Sequence, residues 1–124
     1  MLDFRTDMAD ERVREYEKEG KIEGISSENI DISEKIKVTK VKVLNENGKE
    51  KIGKDIGTYI TVEIKEIEIV NKDELEKISN IVSKELSELI KPYKSILVVG
   101  LGNIDTTVDS IGPKVIKDLK ITRH

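Results

Sequence analysis

SILVVGLGNIDTTVDSIGPKVIKDL, residues Ser95–Leu119, is the stretch on which the fold turns. Its apolar run, Ile96-Leu97-Val98-Val99, reads as a strand buried on both faces. The run breaks at Gly100-Leu101-Gly102-Asn103, passes two aspartates, Asp105 and Asp109, and continues into a short amphipathic segment. Strand, glycine turn, polar loop and helix follow in the order by which open α/β sheets present ligands at the carboxyl end of a strand.

Working outward, the segment before this strand is a helix. Asn71 is placed to cap it, with Asp73 and Glu74 in the favourable first turn. Leu75, Ile78, Val82, Leu86 and Leu89 follow at spacings of 3, 4, 4 and 3, a core-facing stripe widened by Ile81 and Ile90, and Pro92 is the stop. Helix, short connection and apolar strand make half of an α/β unit. Further upstream lie two β-rich segments, Ile36–Leu44 (IKVTKVKVL) and Thr58–Val70 (TYITVEIKEIEIV). Between them Asn45–Gly48 is a turn signal, and residues 49–57 read as a loop carrying Gly53 and Gly57. Both strands change phase: Ile36 and Val38 point one way and Val41 and Val43 the other, and Ile60, Val62 and Ile64 give way to Ile67 and Ile69. A bulge near Thr39-Lys40 and antiparallel pairing with matched kinks, a long twisted ribbon, would account for this. Residues 21–35 read as irregular, with short extended pieces. Met8–Glu19 (MADERVREYEKE) favours helix, with Asp7 as N-cap, Asp10 and Glu11 in the first turn and Gly20 as the stop. Residues 1–7 read as a leader, and 8–124 as part of a single domain. The fold class expected is α/β, a twisted mixed sheet with flanking helices.

Composition narrows the function. Charged residues are 38% of the 124, yet the net charge is only −3, so the surface mixes both signs and a dedicated nucleic-acid binder is not expected. The absence of cysteine excludes disulfides, thiolate metal sites and cysteine nucleophiles, and fits a reducing cytoplasm. No apolar run approaches the roughly 20 residues of a membrane helix. MLDFRTDMADE lacks the basic and apolar regions of a secretory signal. The single histidine, His124, rules out a site built on several histidines within these residues.

Gly100-Leu101-Gly102 matches the start of a dinucleotide fingerprint, but the third glycine position holds Asp105, whose charge would repel a pyrophosphate. The ribose-binding acid, expected about 20 residues later, would fall at the end of the chain. Carboxylate chemistry is better supported. Asp105 and Asp109 lie four apart and would share a face only if the segment were already helical there. A first turn is expected to begin at Thr107 or Val108, with a distortion at Gly112-Pro113. An aspartate in that turn faces the positive end of the helix dipole. Two readings stay open on these residues alone: a helix cap, or a reactive carboxylate.

Val98-Val99-Gly100-Leu101-Gly102-Asn103, then Thr107-x-Asp109-x-x-Gly112-Pro113-x-Val115, then Leu119-x-x-Thr122-Arg123-His124, resembles the germination protease family of spore-forming bacteria. Arg5-Thr6-Asp7-Met8-Ala9 resembles the same family's processing region. The resemblance implies an aspartic-type endopeptidase, once regarded as metal-dependent, that degrades small acid-soluble spore proteins during germination. It also implies a zymogen that removes its own leader, here by cutting Asp7–Met8. The implied fold is related to the hydrogenase maturation endopeptidases, a sheet with helices on both faces. The implied catalytic aspartate is Asp109, with Gly102, Asn103 and Asp105 as candidates to support it. Val108 stands where the family has proline, Ser110-Ile111 where Ala-Leu is typical, and Ile104 where an aromatic or polar residue is common.

Family members continue well past Thr122-Arg123-His124, and their second catalytic aspartate lies in that region. The expectation is therefore an N-terminal fragment, incomplete as a fold and inactive by itself. One or two carboxylates without histidine make a poor zinc site, so no cofactor is expected, although a metal requirement is left open. An open sheet edge would favour self-association, giving an expected homo-oligomer. The competing class is a non-catalytic binding or regulatory module on the same scaffold.

Overall fold

The computed structural model describes residues 8–17 and 22–120. The chain divides into two compact units, one reaching to Leu86 and the other beginning at Ser87. In the first unit, helix α1 (Ala9–Glu17) precedes strands β1 (Ile25–Asp31) and β2 (Ile36–Val43). Helix α2 (Glu46–Ile52), strand β3 (Gly57–Ile64), a 3-10 turn (Ile67–Ile69) and helix α3 (Lys72–Ile90) follow, the last running past the unit boundary. The sheet has the order β1-β2-β3 and both pairings are antiparallel, so the expected mixed sheet is corrected to an antiparallel one. Asp7, expected to cap α1, and Gly20, expected to stop it, lie outside the described residues.

The phase change in β2 has a different cause from the one expected. Its register runs unbroken from Ile36 opposite Ile64 to Val43 opposite Gly57, with no bulge at Thr39-Lys40. Side chains alternate between the two faces, and each face is covered along a different part of the strand. Val41 and Val43 pack with Ala9 and Val13 of α1 and Ile52 of α2, and Ile22, Ile25 and Tyr59 join the rim of this core. Ile36 and Val38, equally buried, point to the opposite face. On that face Lys40 reaches Glu85 of α3 at 2.7 Å, and Lys35 pairs with Glu74 at 3.4 Å. A strand covered first on one side and then on the other shows the sequence signature of a slip without having one. β3 ends at Ile64, where Glu66 takes a left-handed conformation and the 3-10 turn replaces the expected second half of the strand.

Two further elements of this unit differ from the sequence expectation. Ile25–Asp31 is a regular strand with Ile25 opposite Val43 and Asp31 opposite Lys37, although ISSENID lacks apolar alternation. An edge strand needs no second apolar face, and polar residues there discourage further pairing. The stretch expected to be turn and loop contains α2. Asn45 caps it, its Oδ1 accepting from the Gly48 N–H at 3.0 Å, and Gly53 ends it at φ +64°. Lys49 closes the following connection with a 2.7 Å ion pair to Asp55.

α3 begins as expected. Asn71 Oδ1 accepts from the Glu74 N–H at 2.9 Å, and Glu74 Oε2 accepts from the Asn71 N–H at 3.0 Å, a reciprocal capping box. The Asn71 N–H and then Lys35 hold the Glu74 carboxyl below the usual glutamate range. A depressed folded-state value means that the stabilisation is complete above the unfolded value and is lost as pH falls through the folded one. Thermal melts of the native chain and Glu74→Gln should therefore differ at neutral pH and converge on acidification. A gap independent of pH would contradict this role. The expected apolar stripe is only partly covered: Ile78 is buried, while Leu75, Val82, Leu86 and Leu89 are exposed.

Candidate functional site

In the second unit, the stretch beginning at Ser95 departs most from its expected structure. Residues 95–101 form no strand, and Ile96, Leu97, Val98, Val99 and Leu101 are all exposed, Leu97 at 88%. An apolar run becomes a strand only where neighbours take up its backbone N–H and C=O groups, and none does so among the described residues.

The loop that follows is nevertheless closely defined. Asn103 donates its N–H to the carbonyl of Asp109 at 2.9 Å and accepts from the Thr106 N–H at 3.2 Å. Its side-chain Oδ1 accepts from the Asp105 N–H at 3.0 Å, and the Asp109 N–H bonds the Thr106 carbonyl at 3.0 Å. A 3-10 turn, Thr107–Asp109, leads into helix α4 (Ile111–Asp118). Asn103 thus ties both ends of the loop, and Asp109 is fixed through its main chain.

Gly102 explains the close approach. Its φ is +140°, and a Cβ there would fall on the Asp109 carbonyl oxygen. Gly100 and Gly112 face each other's backbone segments in the same way, with Leu101 lying over Gly112. The glycines permit these close backbone approaches. Gly102→Ala should open the loop, since the strained conformation alone costs about 1–3 kcal/mol. Hydrogen exchange at the Asn103 amide should then accelerate, and unchanged protection would contradict the arrangement.

The condition for the two aspartates to share a helix face is not met. Asp105 lies in the turn and Asp109 ends the 3-10 segment, so they do not share a face of one helix. Ser110 is the N-cap residue of α4, and no side chain makes a cap bond there, so the capping reading fails for both aspartates. Both are exposed, and among the described residues no hydrogen bond or ion pair engages either carboxylate. Asp109 precedes the first turn of α4 instead of lying in it. Pro113 causes no distortion: it is the third residue of α4, where backbone N–H groups lack intrahelical partners. The first helical bond runs from the Lys114 N–H to the Ser110 carbonyl at 3.1 Å.

Ser110 is the residue that sequence reasoning missed. It is buried at 2% exposure, and its Oγ donates to the Thr107 carbonyl at 3.1 Å, bracing the turn that carries Asp109. A serine immediately before an amphipathic segment is an N-cap signal that could have marked it. Of the expected site residues, Gly102, Asn103 and Asp109 come together, and Asp105 joins through its backbone. Asp7 lies outside the described residues, and Met8 is half-exposed beside α1. Among the described residues no group of three acidic or histidine side chains is disposed to hold a metal, and no helix is long and apolar enough to cross a membrane.

A family model described as germination protease matches residues 3–124. A germination protease of Clostridium tetani is 44% identical over 127 residues, covering 99% of this chain and 39% of the relative. Similar proteins are found in Clostridium perfringens, at 40% identity over all of this chain and 39% of the relative, and in Caldanaerobacter subterraneus subsp. tengcongensis, at 40% over all of this chain and 38% of the relative. The chain spans about two-fifths of the length of these curated relatives.

Proposed function

Since the chain belongs to the germination protease family, an endopeptidase family, we propose that it is the N-terminal portion of a self-processing enzyme that degrades small acid-soluble spore proteins during germination. Asp109 supplies one of two catalytic carboxylates, and the second comes from the part of the protein beyond these residues. The observation that carries this reading is the loop itself. Four backbone and side-chain bonds and one left-handed glycine hold Asp109 in place, while its carboxylate engages no described residue.

Two carboxylates sharing one proton activate a water: one is kept ionised as base, and the other is raised in pKa and protonates the departing amine. One carboxylate cannot hold both states, so these 124 residues alone are inactive. The exposed run Ile96–Val99 and the exposed Leu86 and Leu89 support this, because such apolar surface needs cover. The complete sheet would be related to that of the hydrogenase maturation endopeptidases. Self-association as a homo-oligomer, processing at Asp7–Met8 and action in the cytoplasm of the spore core belong to the same reading, and no cofactor is invoked. The direct test replaces Asp109 by Asn in the full-length protein and follows cleavage of a spore-protein substrate.

A further inference from the structure

α1 is held to the sheet from its first turn. Ala9 and Asp10 are buried, and Val13, one turn later, is 1% exposed. Asp10 is 3% exposed, and its two oxygens are both engaged: Oδ1 accepts from Thr61 Oγ1 of β3 at 3.1 Å and Oδ2 from Arg14 Nη2 at 3.1 Å. Arg14 also reaches Glu63 of β3 at 3.3 Å, and Arg12 Nη1 donates to the Ile52 carbonyl at 2.6 Å. The Arg12 N–H closes the first helical turn on the Met8 carbonyl at 3.3 Å. A buried carboxylate in an otherwise surface helix is a specific fastening, because it is satisfied only while α1 lies on β3.

We propose that this docked first turn is a latch that protects the Asp7–Met8 bond from hydrolysis. The inference rests on the reading of Asp7–Met8 as the processing bond. An endopeptidase takes its substrate as extended chain on both sides of the bond it cuts. On the carboxyl side those residues are Met8, Ala9 and Asp10, the last two of which lie in the docked helix. Water can add to the Asp7 carbonyl, and the amine leave on Met8, only from molecules in which the first turn has lifted off. Where opening and closing are fast, the rate of cutting follows the open population. The strength of the Asp10–Thr61 contact therefore sets the rate of processing.

Thr61 is the position to change, since it lies 51 residues from Asp10 in sequence and outside any peptide a protease would read. The full 124-residue chain is incubated with an active germination protease, and cleavage after Asp7 is timed by mass spectrometry. Thr61→Val should be cut roughly tenfold faster or more, from loss of a hydrogen bond to a buried charge. Thr61→Ser, which keeps the hydroxyl, should return to the native rate. Asn71→Ala, which weakens the cap of α3, should leave the rate unchanged. A peptide of residues 1–20, free of the sheet, should be cut fastest at the same bond. If that peptide is not cut after Asp7, the processing reading and the latch both fall. If it is cut there but the valine variant matches the native chain, the latch alone is wrong. Should the valine variant not fold, Arg14→Gln at the exposed end of the same contact must give the acceleration, and a native rate there overturns the proposal equally.

Discussion

Asp109→Asn in the full-length protein should lower the cleavage of a small acid-soluble spore protein by roughly 10²–10⁴-fold, the contribution of a positioned general acid or base. The amide is nearly isosteric, and the bonds that fix residue 109 run through its main chain to Asn103 and Thr106, so the loop should keep its shape. The loss should therefore appear in kcat, with KM little changed, because the substitution removes proton transfer and leaves substrate contacts in place. Asp105→Asn is the informative control. Asp105 contributes its backbone N–H to the Asn103 side chain, and that bond survives the substitution, so activity should stay within a few-fold of native. An enzyme that tolerates Asp109→Asn and fails with Asp105→Asn would reverse the assignment.

Ile52→Ala should cost about 2–5 kcal/mol of stability, a large part of the roughly 5–15 kcal/mol available to a domain. Ile52 is fully buried at the end of α2, where it joins α1 to the sheet through Ala9, Val13, Val41 and Val43. Removing three carbons there leaves a cavity that three separate elements would have to close. Urea unfolding of the two proteins gives the difference, and a change under 1 kcal/mol would mean that α1 and α2 do not share one core. Leu75→Ala, on an exposed part of α3, should change stability far less.

What was legible in the sequence was local. Asn71 and Glu74 announced the start of α3 because a capping box involves only residues three apart. The loop at Gly100–Asn103 was legible as a turn presenting Asp109, because glycine and asparagine carry conformational information of their own. Sequence misleads where one residue type serves two purposes or where tertiary cover decides. Asn45 and Gly48 belong to turns and to helix starts alike, so NENG reads as a turn although it opens α2. β1 is polar because it lies at an edge, and its pairing with β2 supplies the regularity that its side chains lack. The phase change in β2 records α1 and α2 on one face and the ion pairs to α3 on the other, a fact about partners that the strand's own residues do not state. Ile96–Val99 has strand composition but no strand neighbours among the described residues, and composition alone does not make hydrogen bonds.

The same distinction applies to the site. Spacing alone puts Asp105 and Asp109 together, the family resemblance singles out Asp109, and the backbone bonds tie Asn103 to the main chain of Asp109. A cap signal marks Ser110, but its burial and its bond to the Thr107 carbonyl are visible only in the structure.

The central claim is that Asp109 is half of a peptidase site. The measurement that reaches it most directly is incubation of the purified 124-residue chain with a small acid-soluble spore protein, followed by mass spectrometry of the products. The expected result is intact substrate. Turnover of the substrate that disappears in Asp109→Asn would show that these residues hold a complete site and would contradict the account.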